Sequence, residues 1–503
     1  MNHDNQNRNG APVFQDRRSW LWNAGGGLAG IALASLMNDE LSAGDCSLQN
    51  EPVNQKHRKG DQEADENHQS IFPQHPARAQ SVIQIFCPGA VSHVDTYDYK
   101  PELEKRDGKP FDSTGKLKFF ASKPGNLQKS YFKFSQHGES GRWLSELFPQ
   151  LSRCVDDMAF IYSMHNKSAL HGPATFMMNT GFTLPGFPSM GSWITYGLGS
   201  DNQNLPAFVV LPDSRGVPPG GPANWGAGFL PAMVQGTAFE VGAGKQSVPD
   251  LRPATDPVVT SKGERDLRNF LKQLNTQHLQ SRHGRSDLEA RMNAYELSAR
   301  LQLSAPEISS ISEETEQTRR LYGLGIERFE SFGRQCLMAR RLVERGVRFV
   351  QVFCGADNIA PPRPNWDAHE DLQANHGRHG PVLDRGAAAL IQDLKQRGLL
   401  DETLVVCTTE FGRQPAAQGK GRDHNPNAYT TWLAGGGIRG GVSYGESDEL
   451  GYKAVVHPTY SYDLHATMLH LLGIDHTRLT YYHNGIQRRL TDVHGKVITD
   501  LLR

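Results

Sequence analysis

Residue types able to hold a metal ion or move a proton fall in short clusters along the chain. Ser92-His93-Val94-Asp95-Thr96-Tyr97-Asp98 is the first, followed by Met164-His165-Asn166-Lys167 and Ala169-Leu170-His171-Gly172-Pro173. Trp366-Asp367-Ala368-His369, with Asn375-His376 beyond it, comes next; Thr409-Glu410-Phe411-Gly412-Arg413 and Gly421-Arg422-Asp423-His424-Asn425 complete the series. Neutral imidazole and carboxylate together suit Zn²⁺, Mn²⁺ or Fe. A lone histidine beside a carboxylate is commonly a surface or core pair, so the residues alone leave both readings open. The six cysteines (46, 87, 154, 336, 354 and 407) are scattered without a Cys-x-x-Cys pair. That spacing argues against a thiolate cluster.

The elements that must carry these clusters are short buried strands. Ser81–Phe86 is an apolar run stopped by Cys87-Pro88-Gly89. Met158–Tyr162, Ala207–Leu211, Val347–Phe353 and Thr403–Cys407 read the same way. Helical patterns lie between them, over Glu327–Gly346 with Gly346 as the stop, and over Pro381–Gly398. A charged helical segment spans about 262–330. Strands separated by helices predict a mostly parallel α/β sheet covered on both faces. Each polar cluster follows a strand, and ligands gather outside the carboxyl ends of such strands.

The chain has 503 residues, 37% of them hydrophobic, enough for a sizeable core. Lys+Arg 53 against Asp+Glu 54 leaves a net charge of −1, which offers no general basic surface for nucleic acid or an anionic membrane. Residues 1–43 read as a signal peptide. Arg17-Arg18-Ser19-Trp20-Leu21 precedes a weakly apolar stretch to Met37, and the arginine pair resembles the twin-arginine export signal. At seventeen residues, Leu21–Met37 is short of the roughly 20 that a membrane span requires. The expected destination is the periplasm or the outside of the cell, with no stable membrane span after processing. Residues 44–80 are polar and predict a linker. The core is expected over 81–475, with 476–503 as a C-terminal extension.

Tyr462-Asp463-Leu464-His465-Ala466-Thr467-Met468-Leu469-His470-Leu471-Leu472-Gly473-Ile474-Asp475 resembles the closing helix of sulfatases and other alkaline-phosphatase superfamily enzymes. From about 80 to 495 the chain resembles the bacterial domain of unknown function 1501, grouped with that superfamily. The clusters at 92–98, 366–369, 409–413 and 421–424, with Gly435-Gly436-Gly437-Ile438, carry the resemblance in order.

The resemblance implies an alkaline-phosphatase-like α/β fold, a mostly parallel sheet sandwiched between helices. It implies metal-dependent hydrolysis of an anionic phosphate or sulfate ester, carbohydrate-linked esters included. The ion would be a divalent Zn, Mn or Ca, held by Asp367, His369, Glu410 and His424, with His93 and Asp95 next. Arg413 would neutralise the equatorial oxygens of the ester, and Asp423 would orient a ligating imidazole. The superfamily's metal-binding Asp after the first strand is replaced here by Cys87-Pro88-Gly89, and its late Asp-His pair by Glu410-Phe411. No cysteine heads a Cys-x-Pro-x-Arg stretch, so formylglycine chemistry is excluded. Counting back from Thr180-Gly181, the superfamily's nucleophile position falls on His171, with Thr175 and Ser168 as hydroxyl alternatives. His171 is therefore expected to be a nucleophile, a ligand or an anion contact. The competing reading is a non-catalytic exported protein that keeps the fold to bind a glycan or a surface partner.

Overall fold

The computed structural model describes residues 73–111, 125–202, 204–241, 313–357 and 362–503, with single positions or short runs between 266 and 311 and at Ala360. The signal segment, most of the linker and much of the helical segment expected at 262–330 lie outside these residues. The chain divides into two units, residues 1–57 with 250–285 and residues 58–249 with 286–503. In the first, the described positions between 266 and 277 are helical. The second holds every cluster introduced above.

The strands of the second unit are β1 (Ser81–Phe86), β2 (Phe134–His137), β3 (Arg142–Ser145), β4 (Met158–Met164), β5 (Phe208–Leu211) and β6 (Thr237–Ala238). They continue as β7 (Phe349–Phe353), β8 (Thr403–Thr408), β9 (Gly412–Gln418), β10 (Gly421–Asn425), β11 (Tyr429–Ala434) and β12 (Ser443–Tyr444), followed by three-residue or shorter strands. Eight of them form one sheet in the order β12-β4-β11-β8-β1-β7-β5-β6. Only β11 runs against its neighbours β4 and β8; the other five pairings are parallel. The mostly parallel α/β sheet predicted from the sequence is present.

Every residue of β1, β7, β8 and β11 is buried, as expected for strands covered on both faces. The helices are α1 (His93–Thr96), α2 (Pro101–Lys105), α3 (His171–Thr180), α4 (Met190–Leu198), α5 (Glu316–Leu321), α6 (Glu327–Val343), α7 (Leu372–Gln396) and α8 (Ser461–Leu471). On one face, Val82, Phe86, Phe353 and Val406 pack with Met178 of α3, Trp193 of α4 and Met468 of α8. α6 packs against β1 and β7, and α7 packs on α6. Burying one such large side chain is worth about 1.5–3 kcal/mol, so the sheet centre is a rigid platform for the loops at its edge.

Two boundaries differ from the sequence reading. The helix expected to open at Pro381 begins nine residues earlier, at Leu372, because Asp371 caps it by accepting from the Ala374 N–H at 2.8 Å. Pro381 lies inside and has no N–H to give the Gly377 carbonyl. Arg328 Nη2 supplies that bond instead, at 2.7 Å. The core also outruns 81–475. Arg78 and Ala79 donate to the Leu471 carbonyl at 2.8 and 2.9 Å, and Leu479, Leu490, Ile498 and Leu501 join the buried cluster. Among the described residues no helix is long and apolar enough to cross a membrane.

Candidate metal centre

Four parallel strands end at the same edge, and each delivers part of the site. After β4, residues 165–170 lead to His171, the first residue of α3. This ten-residue helix stops at Gly181 (φ +79°), where a Cβ would lie 2.4 Å from the Leu490 carbonyl oxygen. After β1 comes the turn Cys87–Ala90. After β7 comes the loop holding Asp367 and His369, and after β8 comes Glu410. The hairpin β9–β10 then sets Arg413 directly opposite His424.

Asp367 is the hub. Its Oδ1 accepts from Arg413 Nη2 at 2.6 Å and lies 3.1 Å from His369 Nε2, 3.5 Å from His171 Nε2 and 3.7 Å from His424 Nε2. Its Oδ2 accepts from Arg363. Burial alone would raise this carboxyl, but Arg413 beside it, helped by the imidazoles, holds it far below the usual carboxylate range.

Each imidazole is oriented through Nδ1. His171 Nδ1 meets Glu410 Oε1 at 2.6 Å, His369 Nδ1 meets Gln418 Oε1 at 2.5 Å, and His424 Nδ1 meets the Ala169 carbonyl at 2.7 Å. The Glu410 carboxylate and the Ala169 carbonyl only accept, so His171 and His424 donate from Nδ1, which turns Nε2 of each ring toward Asp367. The Nε2 atoms of His369 and His424 face each other across 2.9 Å. Either a proton shared between them or a metal ion bound by both would satisfy the two nitrogens. His171 Nε2 is buried with no hydrogen-bond partner.

The spacing tests the fit of an ion. Tetrahedral bonds of about 2.0–2.2 Å keep ligand atoms roughly 3.3–3.6 Å apart. The separations among His369 Nε2, His424 Nε2 and Asp367 Oδ1, at 2.9, 3.1 and 3.7 Å, bracket that range. Ligand atoms of His171, Asp367 and His424 also lie within 4.8 Å of one another. Imidazole donors suit Zn²⁺ or Mn²⁺, and they argue against the Ca²⁺ admitted from sequence, which takes oxygen ligands.

Protonation follows the surroundings. Burial lowers the affinity of His171 for a proton, but the Asp367 and Glu410 carboxylates on either side overcome it and hold the group at about 9. Burial pushes His424 down to about 4 despite Asp367. Without a metal, a protonated His171 joins Arg413 and Arg363 as a positive group beside Asp367.

The structure thus brings together Asp367, His369, Glu410, His424 and His171. It does not bring His93 or Asp95 to them. His93 Nε2 bonds the Gly451 carbonyl at 2.7 Å, and Asp95 is a fully buried ion-pair partner of Arg422 at 2.7 Å, also receiving Ser92 Oγ and the Tyr131 N–H. Both belong to α1, a single turn whose residues are all buried. Arg413 is also not the substrate clamp expected of it. Its side chain is 0% exposed, and all five N–H donors are in use, to the carbonyls of Gly89, Ala90 and Arg422, to Asp367 Oδ1, and weakly to His369 Nε2.

Sequence reasoning missed Arg363, Gln418 and the Gly89 amide, which donates to Glu410 Oε1 at 2.7 Å. Gly89 (φ +105°) had a legible signal in Pro88-Gly89: a Cβ there would lie 2.5 Å from the Asp367 nitrogen. Ser92 N–H donates to His376 Nε2 at 3.0 Å, so His376 supports the loop behind the site.

A mostly parallel sheet whose carboxyl edge gathers three imidazoles and two carboxylates defines an α/β protein with a candidate metal centre. The chain belongs to the family described as "Protein of unknown function (DUF1501)", which matches residues 79–502. No curated protein sequence matches it. Among solved structures it is similar to the PsFucS1 sulfatase from Pseudoalteromonas sp. at 14% identity, over 87% of this chain and 78% of that one, with a TM-score of 0.32. It is similar to the phosphonate monoester hydrolase SpPMH from Silicibacter pomeroyi at 12% identity (65% and 68% covered, TM-score 0.32). It is also similar to the alkaline phosphatase from the Antarctic bacterium TAB5 at 10% identity (74% and 96% covered, TM-score 0.30).

Proposed function

We propose that the protein is an exported, metal-dependent hydrolase of a phosphate or sulfate ester, working without formylglycine. One observation carries this reading: Nε2 of His369, Nε2 of His424 and Oδ1 of Asp367 converge at spacings that one divalent ion would bridge. Asp367, His369 and His424 would hold a divalent Zn or Mn, with His171 beside them. Such an ion supplies Lewis acidity toward an ester oxygen and lowers the pKa of water.

The chain's own residues do the rest. Arg413 ties Asp367 to the Gly89–Ala90 turn and fixes the carboxylate in place. Glu410 fixes the tautomer of His171. Asp367 and Glu410 balance Arg363 and Arg413, so a divalent ion would leave the inner ring with two positive charges, matched to an anionic ester. The α3 N-terminus has no side-chain cap, and its dipole also favours an anion.

Metal analysis of the purified protein, followed by a panel of phosphate and sulfate esters, tests the reading. About one equivalent of Zn or Mn and turnover of one ester class are expected. Stoichiometric metal without turnover of any ester would favour the non-catalytic binding protein, and absence of metal would remove both the ion and the hydrolase.

Export is a separate proposal, resting on Arg17-Arg18. Replacing both by lysine is expected to hold the precursor in the cytoplasm, read by fractionation; unchanged export would rule out the twin-arginine route.

A further inference from the structure

The cluster Met164-His165-Asn166-Lys167 supplies no ligand to the centre, yet it opens the loop that joins β4 to His171. That loop is tied down on both sides of Lys167. Asn166 Nδ2 donates to the Glu410 backbone carbonyl at 2.8 Å, and the Asn166 N–H donates to the Pro426 carbonyl at 2.8 Å. Two residues beyond Lys167, the Ala169 carbonyl holds His424 Nδ1 at 2.7 Å. Consecutive Cα atoms lie about 3.8 Å apart, so the Lys167 backbone is fixed within about two such steps of a residue that touches His424.

The side chain is exposed, and among the described residues it meets no carboxylate at ion-pair distance. Its Nζ donates to the Tyr462 hydroxyl oxygen at 3.2 Å and stands over the rings of Tyr462 and Tyr460, 4.9 and 5.8 Å from their centroids. Tyr460 lies against His165 and Tyr462 against His494, with centroids 3.7 and 4.8 Å apart. Asp463, next to Tyr462 in sequence, is committed elsewhere. Its Oδ2 accepts from the Tyr460 N–H at 3.0 Å and its Oδ1 from the Lys496 N–H at 2.8 Å. The rings seat the ammonium, an attraction of about 0.5–1 kcal/mol at an exposed position, but they bring no negative charge to neutralise it. Arg413 and Arg363 differ in this respect, since each is bonded to Asp367. Lys167 is a positioned cation beside the centre that keeps its charge for something outside the chain.

We propose that Lys167 receives a second anionic group of the substrate, so that the molecule bound here carries at least two negative groups. One is the ester at the centre; the other is a sulfate, phosphate or carboxylate borne further along the same molecule. The inference deepens the hydrolase reading above and rests on it for the first of the two groups. An ammonium is a compact point charge on a flexible four-carbon stem, which suits the reception of a group whose exact placement varies from one substrate to another. The substrate class is then a multiply charged ester and not a simple monoester.

The test is equilibrium binding, by calorimetry on the purified full chain, of probes with no ester bond to break. Alkane disulfonates of increasing chain length are compared with the monosulfonates of the same lengths. At low salt the best disulfonate is expected to bind about fivefold more tightly than its monosulfonate, the gain of one exposed ion pair, and added salt should shrink the difference. Lys167→Met keeps an unbranched side chain over the rings and removes the charge, so the ratio should fall to about one; Lys167→Arg should retain it. Alkanesulfonates ending in a carboxylate or a phosphonate then rank the second group. No binding of any disulfonate, a ratio of about one in the wild type, or a ratio that survives in Lys167→Met would overturn the proposal and leave the hydrolase reading standing. The wild-type ratio does not depend on either variant folding. If the ester panel shows no turnover while the ratio and its loss in Lys167→Met are both observed, the hydrolase reading fails and the second anion subsite remains, as part of a binding protein.

Discussion

Asp367→Ala is expected to lower metal content at least tenfold and to destabilise the protein by about 3–5 kcal/mol. Both effects have one cause. The substitution takes the shared oxygen away from the imidazoles, and it leaves the guanidinium of Arg413, buried completely, without its carboxylate. Breaking a buried ion pair by removing one partner costs on that order, because the remaining charge stays out of water. Asp95→Ala is the control. Its carboxylate is fully buried and paired with Arg422, so a similar loss of stability is expected, but with metal content unchanged. Denaturant unfolding and metal analysis on the two variants separate the roles. Full metal occupancy in Asp367→Ala would take this residue out of the ligand set.

That contrast shows what was legible in the sequence. Periodicity and stop signals placed β1, β7 and β8 to within two residues, because strands buried on both faces are apolar throughout. The rule that polar clusters follow such strands led to Asp367, His369 and Glu410. His93-Val94-Asp95 satisfied the same rule and went elsewhere. What decides between the two outcomes is Arg422, more than 300 residues away in sequence, and local pattern carries no trace of it. Arg413 misled for the same reason. An arginine in a polar cluster looks like an anion clamp until its donors are counted, and they go to the carbonyls of Gly89, Ala90 and Arg422. Ala90 itself, at φ +67°, adopts a conformation that L-residues avoid at a cost of order 1–3 kcal/mol. The bonds from Arg413 hold the turn there. Composition gives no sign of such a turn beyond Pro88-Gly89.

Metal-free protein is expected to be most stable close to neutral pH, with a steep acid limb and a shallower alkaline one. His171 sets the alkaline side. Its folded pKa of about 9 lies above the unfolded value near 6.5, so its contribution is complete below 6.5 and is lost as pH rises through 9. The shift is worth about 3 kcal/mol at most. The acid side belongs to histidines that burial keeps neutral: His376 at about 3, and His379, His424 and His465 at about 4. Their folded values are depressed, so each contributes stability above 6.5 that is lost as pH falls toward 4. Asp384, raised by burial to about 6, opposes them by one proton between its unfolded value and 6. Each net proton contributes a slope of about 1.4 kcal/mol per pH unit, so the surplus of histidines makes the acid limb several times steeper. Unfolding midpoints in the presence of a chelator, from about pH 4.5 to 9.5, give the curve directly. His171→Gln should flatten the alkaline limb and leave the acid limb in place; an alkaline limb that persists in this variant would assign the loss to another group. Metal loading supplies an independent check on the same proton. At about pH 7.5, Nε2 of His171 is protonated in the empty centre, and a divalent cation beside it makes that charge unfavourable. Uptake of the ion should therefore release about one proton to buffer, and the released fraction should fall as the starting pH is raised past 9.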